Sequence, residues 1–420
     1  MSAQNTPQTV RDVQQTIDKL HNSCRNFEDD YSPVKAVDEI SKLLFIKLVD
    51  ERHVEEGRPR KFSTQNLSSS QKSPSEWLND LFKQGTSRAS LGFGEEEIEL
   101  SDQTAIKAVR ALEHLQLTTA EIDVKGVAYE HVLEDIFRGD LGQFFTPREV
   151  AKFIVGVADP VLDPEDEDTD TVIDPAVGSG GFLIQVLNYY AEQTNQDTVS
   201  YEVASEEIWG IDKAPWLLKL CNTNLNLHTS GGWEGFENIY QGNSLVRNGD
   251  SVPVEDVQGR NKEVPFGEFD ILITNPPFGS QESQDLADQL WSDTEETYRA
   301  VDALFLKRSF DFVRPGGDIV LLIPKTLVKG PKFQTLQHWI REHAIINSVF
   351  HLPLVTFRPF KSEIKTVVLH MTKRDKKTKQ GSIYFDAATY IGYNGKGDKI
   401  PRNDLPKILE NYNNHRGKKQ

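Results

Sequence analysis

Cysteine is nearly absent from this chain of 420 residues: Cys24 and Cys221 stand far apart and belong to no metal-type cluster. That excludes a disulfide framework and a structural zinc site, and histidines such as His351 and His370 show no ligand spacing either. Long apolar runs are also missing. No stretch approaches the roughly 20 apolar residues of a membrane span, and the start MSAQNTPQTVRDVQQ lacks the basic and apolar segments of a secretion signal, so no membrane association and a cytoplasmic location are expected. Positive charge is scarce. The 47 Lys and Arg face 64 Asp and Glu, and the formal charge of −17 argues against attraction of the whole molecule to nucleic acid. If the protein works on DNA, something else supplies positive charge. Finally, no Gly-Lys-Ser/Thr ends a glycine-rich turn, so a phosphate loop and the motor it would serve are excluded.

What is present divides into two textures. At 37% hydrophobic residues the chain can bury a large core, and its length exceeds the roughly 250–300 residues at which single cores stop growing, so two domains are expected. The first hundred residues read as helices. Val10, Val13, Ile17 and Leu20 share one helical face, Ser32-Pro33 reads as a cap with proline at the first position, and Val37, Ile40, Leu44 and Leu48 form the next stripe. The polar stretch from Glu55 to Ser73 reads as a solvated loop or inter-helix linker. A helix from Pro74 to Gln84 is expected to stop at Gly85, and a further one places Ile106, Val109, Leu112 and Leu115 together.

From about Val124 short β-rich runs alternate with amphipathic segments. They lie at Thr171–Asp174, Ile208–Asp212, Ile239–Tyr240, Phe269–Thr274, Asp318–Ile323, Asn347–Leu352 and Thr366–Met371. Seven runs with helical crossovers predict a doubly wound, mostly parallel sheet. Thr146-Pro147 reads as another cap, before a helix burying Val150, Phe153, Ile154 and Val157. The acidic run Asp163 to Asp170 reads as a solvated loop, and Phe305 and Phe310 as core.

Two places carry chemistry. The strand ending at Asp174 runs through Pro-Ala-Val-Gly-Ser-Gly-Gly into a helix, and Gly178, Gly180 and Gly181 let the backbone approach a ligand at a helix N-terminus. The spacing fails Gly-x-Gly-x-x-Gly, which disfavours a plain dinucleotide. Asp212, closing the next strand, can hold ribose hydroxyls, so a nucleoside fits. The other place is Ile-Leu-Ile-Thr-Asn-Pro-Pro-Phe, 271–278, a buried strand stopped by two prolines that present carbonyls and the Asn275 amide at its carboxyl end. Both a mobile loop and a solvated surface excursion fit the polar stretch Gly279 to Tyr298 that follows. The basic run Lys373 to Lys379 reads as a phosphate contact or a plain surface turn.

In order, Gly-Gln-Phe-Phe-Thr-Pro (142–147), Asp-Pro-Ala-Val-Gly-Ser-Gly-Gly-Phe (174–182), Gly-Ile-Asp (210–212), Gln-Gly-Asn-Ser-Leu (241–245) and Asn-Pro-Pro-Phe (275–278) resemble the amino-group DNA methyltransferases. The match is to the modification subunit of type I restriction-modification systems. The resemblance implies a helical N-terminal domain over 1–120, clamping a partner or DNA, then a Rossmann-like seven-stranded α/β domain dependent on S-adenosylmethionine over 121–380, and a C-terminal tail over 381–420. It implies that Gln143, Phe144, Phe145, Thr146, Pro147 and Arg148 help hold the amino-acid end of the cofactor. Asp174, Gly178, Ser179, Gly180 and Gly181 match the glycine-rich motif, Asp212 the ribose-binding acid, although many relatives have glutamate there, and Asn243 a position near the adenine where relatives often carry aspartate.

The same resemblance implies N6 methylation of a flipped-out adenine. Asn275 and Pro276 would accept from the amino hydrogens, Pro277 would stiffen the turn, and Phe278 would stack on the base. A cytosine C5 enzyme would need a cysteine nucleophile, typically after proline, and Cys24 follows Ser23 while Cys221 follows Leu220. The expected partners are double-stranded DNA, a specificity subunit, a second modification subunit and, where restriction occurs, a motor-nuclease subunit. Only about forty residues lie beyond the expected domain end at 380, too few for a sequence-reading domain. Two other classes fit less of the pattern: a methyltransferase for protein glutamine or ribosomal RNA guanine, and a non-catalytic assembly subunit.

Overall fold

Residues 10–27, 32–86, 93, 96–118, 146–163, 169–196, 198–230, 236–360, 363–375 and 378–417 are described by the computed structural model. The chain forms two compact units, residues 1–142 with 216–236, and residues 143–215 with 237–420. The boundary expected at 120/121 lies outside the described residues.

The first unit is helical, as its periodicity requires. In α1 (Val10–Phe27) Ile17 and Leu20 are buried. Ser32 caps α2 (Pro33–Glu55), accepting from Lys35 N at 3.1 Å with proline at the first position. The Val37 stripe is buried, but so is every other face of α2 from Glu39 to Glu51, and this centre therefore encloses charges. Lys42 pairs with Asp38 at 2.7 Å and Glu39 at 2.8 Å, and the fully buried Lys47 with Glu51 at 3.0 Å. Pairing is what makes such burial tolerable.

Three expectations change here. The polar stretch 55–73 contains α3 (Thr64–Ser69), capped by Ser63 and anchored by buried Phe62 and Leu67. Gly85 does not end α4 (Pro74–Thr86); it lies within it, where a Cβ would stand 3.0 Å from the Phe45 ring. In α5 (Asp102–Leu112) the buried face is Ala105, Ala108, Val109 and Leu112, and Ile106 is 38% exposed.

The second unit holds a ten-stranded sheet. Its strands are β1 (Val172–Asp174), β2 (Ile208–Asp212), β3 (Ile239–Gly242), β4 (Ser251–Glu255), β5 (Asn261–Pro265), β6 (Phe269–Thr274), β7 (Val313–Pro324), β8 (Ala344–His351), β9 (Thr366–Lys373) and β10 (Tyr384–Ala387). The spatial order is β10-β8-β9-β7-β6-β1-β2-β3-β4-β5. All seven expected strands are present. β1 is flanked in parallel by β2 and β6, β7 runs parallel to β6, and β9 is antiparallel between β7 and β8. The chain therefore builds outward from β1 through β2 and β3, then restarts on the other side with β6. The carboxyl ends of β1 and β6 flank that reversal, where open α/β sheets bind ligands. The antiparallel hairpin β4–β5 extends the sheet beyond β3, and no sequence expectation covered it.

Around the sheet lie α6 (Arg148–Ala158), α7 (Gly181–Thr194) and α8 (Tyr201–Glu207). α9 (Pro215–Leu227), the crossover from β2 to β3, groups almost wholly with the helical unit, which the linear division did not foresee. Within that unit Arg52 donates to the carbonyls of Asn226 at 2.6 Å and Thr229 at 3.3 Å, and Lys219 pairs with Asp38 and Glu96. The stretch 279–298 lies mostly exposed at the surface, as one of the two expected readings had it, and is pinned by a few buried residues. It forms α10 (Gln284–Leu290), and buried Trp291 donates to Tyr298 O at 3.1 Å. Asp293 then pairs at 2.6 Å with Lys307, whose ammonium lies 3.9 Å from the Trp339 ring centre. Lys307 belongs to α11 (Val301–Phe312), which buries Phe305 and Phe310 as expected.

Residues 381–420 were expected as a tail, but 384–417 form β10, the hairpin β11 (Ile391–Tyr393) with β12 (Lys399–Asn403), and the last named helix, Leu405–Gly417. That helix is joined to the sheet by Tyr412, which is buried beside Phe350 and Tyr384 at ring-centre distances of 5.2 and 5.3 Å. Its hydroxyl lies 2.9 Å from His370 Nδ1. It also lies so close to α6 that a Cβ on Gly156 would stand 2.5 Å from Leu409. Tyr412→Ala is expected to cost about 3 kcal/mol in denaturant unfolding, whereas Phe385→Ala, at 63% exposure on β10, stays within about 0.5 kcal/mol.

Candidate active site

Three adjacent strand ends meet at the reversal point. β1 ends in Asp174, whose carboxylate is buried and accepts from Ala176 N at 3.0 Å and from the Thr274 hydroxyl, at the end of β6, at 2.7 Å. β2 ends in Asp212, whose two oxygens accept from Gly178 N at 3.0 Å and Ala214 N at 2.9 Å. The turn between β1 and α7 is thus stitched to its neighbours. Val177 N donates to Ile211 O at 3.0 Å, and the Ser244 hydroxyl, just after β3, donates to Pro175 O at 2.6 Å. Val177 also packs onto β2 where a Cβ on Gly210 would lie 2.8 Å from it, so the glycine of Trp-Gly-Ile-Asp makes room for the turn.

The turn leaves space on its outer side. Gly178 and Gly180 hold φ of +54° and +85°, which side-chain-bearing residues rarely adopt, and a Cβ on Gly181 would meet nothing within 4 Å. Open space at the N-terminus of a 14-residue helix, beside a carboxylate with further acceptor positions, has the donor and acceptor set of a nucleoside site. Beyond Asp212 an open groove of about 350 Å³ is lined by Lys213, Gly242, Asn243, Pro253, Glu255 and Asn261. The hairpin β4–β5 forms its far wall.

Electrostatics distinguish the two acids. Burial, helped by neighbouring Asp212, pushes the Asp174 carboxyl up to about 7, against the pull of Thr274 and Ala176. Burial also raises Asp212, and its backbone N–H partners and Lys213 counteract this.

On the other side of β1, Asn275 follows β6. Its Nδ2 donates to Thr146 Oγ1 at 3.1 Å. Thr146 was expected to cap α6 and does not: Pro147 holds the cap position without a side-chain hydrogen bond, and the Thr146 hydroxyl meets the Asn275 amide instead. Arg148 opens α6, while Gln143, Phe144 and Phe145 lie outside the described residues. Phe278 is 8% exposed and meets Phe357 edge-on at 5.8 Å, so its ring is not an open stacking platform. Asn243 Oδ1 accepts from Leu245 N at 3.2 Å at the mouth of the groove. Ser179 is buried in the turn.

Other candidates are occupied elsewhere. In the run 373–379, Lys373 donates to Val313 O at 2.7 Å and Arg374 to Thr378 O at 2.6 Å, while 376–377 lie outside the described residues. Most of the acidic run 163–170 lies outside them as well. Thr274 and Ser244 were not singled out as site residues. The available signal was a hydroxyl at the last position of an apolar strand and another after the next strand's end.

The family model described as N-6 DNA Methylase matches residues 120–420. Among relatives, the type I restriction enzyme EcoEI methylase subunit of Escherichia coli is 27% identical over 254 residues, covering 59% of this chain and 46% of that protein. The MjaVII methylase subunit of Methanocaldococcus jannaschii is 25% identical over 322 residues, covering 73% and 49%. The chain thus spans about half the length of these relatives. In fold it is similar to a modification subunit from Vibrio vulnificus YJ016, with TM-score 0.70, 18% identity and coverage of 99% of this chain and 92% of that one. It is also similar to the type I restriction-modification system methyltransferase subunit from Streptococcus thermophilus, with TM-score 0.66, 19% identity and coverage of 97% and 94%.

The Asp174 shift sets a pH dependence. A carboxyl whose folded pKa stands above the ordinary 3.8 keeps its proton in the fold while the unfolded chain releases it, so stability is lost as pH rises from 3.8 through about 7. Asp174→Asn keeps an acceptor and cannot ionise. Its unfolding free energy relative to wild type is expected to improve between about pH 5 and 7, by up to about 1.4 kcal/mol per pH unit, and calorimetric melts check this.

Proposed function

Because the chain belongs to the N-6 DNA methylase family, we propose that it transfers a methyl group from S-adenosylmethionine to the 6-amino group of an adenine flipped out of duplex DNA. One observation carries the reading: Asn275, tethered through its amide nitrogen to Thr146, stands at the end of β6 beside the buried Asp174 and open glycine turn that end β1. The chain would act as the modification subunit of a type I restriction-modification complex. A specificity subunit, a second modification subunit and, where restriction occurs, a motor-nuclease subunit are its proposed partners.

The residues present fit the cofactor. The turn 178–181 would pass beneath it, Asp212 would accept from ribose hydroxyls, and the groove beside Asn243 and Lys213 suits the adenine end. Bound S-adenosylmethionine supplies an activated methyl carbon, so no covalent enzyme intermediate is needed. The chain's task is the amino nitrogen, flattened by conjugation with the ring. Asn275 Oδ1 and Pro276 O accept from its hydrogens and favour the tetrahedral nitrogen of the transition state. An amide held by its nitrogen directs its oxygen to this task. Pro276 and Pro277 fix φ and donate nothing, which holds the acceptors in place before the base arrives. Phe278 offers a face to the base only if its ring turns from Phe357, so stacking accompanies base capture.

Tritiated-methyl transfer to DNA, RNA and protein acceptors, with and without neighbouring-gene products, tests the reading. Asn275→Ala is expected to lower transfer to DNA adenine by about 10²–10³ while cofactor binding persists; unchanged transfer would defeat the mechanism. Thr146→Val is expected to lower kcat about tenfold with KM for DNA unchanged, and Thr146→Ser to restore most of it, as a tether through one hydroxyl requires. Cofactor affinity lost in place of kcat would return Thr146 to a cofactor-holding role.

A further inference from the structure

The carboxyl edge of the sheet continues past Asn275 into a row of lysines that the mechanism does not use. Outward from β6 the strands are β7, β9 and β8. Thr274 is level with Leu321 of β7, which runs on to Pro324, so Lys325, four residues on, stands roughly 13 Å beyond the end of β6. Lys325 opens a short helix, Lys325–Lys329, in which Lys329 lies one turn further on the same face. β9 is antiparallel and begins at this edge. Lys365 precedes Thr366, which pairs with Pro324, and Lys325 N donates to Lys365 O at 2.8 Å. β8 ends here in His351, whose pKa is lowered by burial and then by Lys325 and Lys329, so both ammonium groups act on that ring. Lys332 follows in the turn Pro331–Phe333.

These four lysines share a further property. Lys329, Lys332 and Lys365 are exposed and Lys325 is half-buried, and among the described residues no carboxylate forms an ion pair with any of them. Glu363, next to Lys365 in sequence but one, is taken by Arg358. Like charges gathered on one edge repel each other, and in a chain of net charge −17 the uncompensated row is a local reversal of sign. A protein partner would want an apolar centre, and this stretch exposes one large apolar side chain, Leu354.

We propose that Lys325, Lys329, Lys332 and Lys365 form a shelf for the phosphate backbone of the strand whose base enters beside Asn275. The assignment rests on the reading of Asn275 as the acceptor-side residue. Lysines as point charges on an edge track phosphates without reading bases, so the shelf positions DNA and leaves sequence choice elsewhere.

The test uses the full chain and a fluorescent duplex of about 20 base pairs with one mismatched adenine, titrated by anisotropy from about 50 to 200 mM salt. Lys329→Gln/Lys332→Gln/Lys365→Gln is expected to weaken binding at least about tenfold at the lowest salt and to reduce the slope of log affinity against log salt by about 3, near 0.9 per phosphate contact. The single variant Lys329→Glu should move both in the same direction, and S-adenosylmethionine affinity and melting temperature should not change. Affinity within about twofold of wild type with an unchanged slope overturns the shelf. So does a wild-type chain that binds no duplex at the lowest salt, or displacement of the duplex by polyglutamate at equal charge. A chain that binds duplex through these lysines yet never methylates adenine, even with the neighbouring-gene products present, defeats the methyltransferase reading and leaves only duplex binding by the lysines; methylation by the triple variant at unchanged KM defeats the shelf alone.

Discussion

The hydrogen bond from Thr274 to Asp174 joins the two central strands where the chain reverses its direction of sheet building. Everything proposed for the site is measured from it. Asp174 is almost fully buried, so its carboxylate tolerates that position only through Thr274 and the Ala176 amide, and it rises to about 7 all the same. The same pair sets the glycine turn on one side of β1 and Asn275 on the other. A sheet that ended these strands at different heights would separate the two.

A second constraint reaches Asn275 from the far end of the chain. Thr146 stands two residues before α6, and α6 is braced along its length by the last helix and the end of β12. Leu409 packs where only a glycine, Gly156, allows it, Asn403 donates to Glu149 at 2.8 Å, and Arg416 donates to Val157 O at 3.2 Å. Residues some 250 positions apart in sequence thereby fix one hydroxyl beside the Asn275 amide. This explains why 384–417 cannot be a loose tail. The opposite sign of charge at the same edge is carried by lysines in the segments that follow β7 and precede β9.

Much of this was legible beforehand for physical reasons. The seven main strands could be found because buried parallel strands are short apolar runs ended by punctuating residues, and Asp174, Asp212 and Asn275 each sit at such an end. Serine caps such as Ser32 could be read because the capping bond is made within four residues. Less was legible wherever a partner distant in sequence decided the outcome. Gly85 reads as a helix stop until Phe45 is placed over it, and Ile106 reads as core until Ala105 and Ala108 take the inward face. The polar stretch 279–298 is mostly solvent-facing, as its composition suggests, but its short helix and the pinning of Asp293 by Lys307 and Trp339 depend on partners distant in sequence.

Local chemistry therefore settled the order of strands and helices in the chain, the glycine turn and the identity of the strand-end polar residues, because each depends on neighbours within a turn or a strand. Tertiary structure alone decided that Thr146 serves Asn275 and not its own helix, that α9 groups with the helical unit, and that the last forty residues complete the second unit. A hydroxyl next to proline satisfies a cap or a remote amide equally well in sequence. Only the folded arrangement of β6 and α6, at 3.1 Å between Nδ2 and Oγ1, chooses between them.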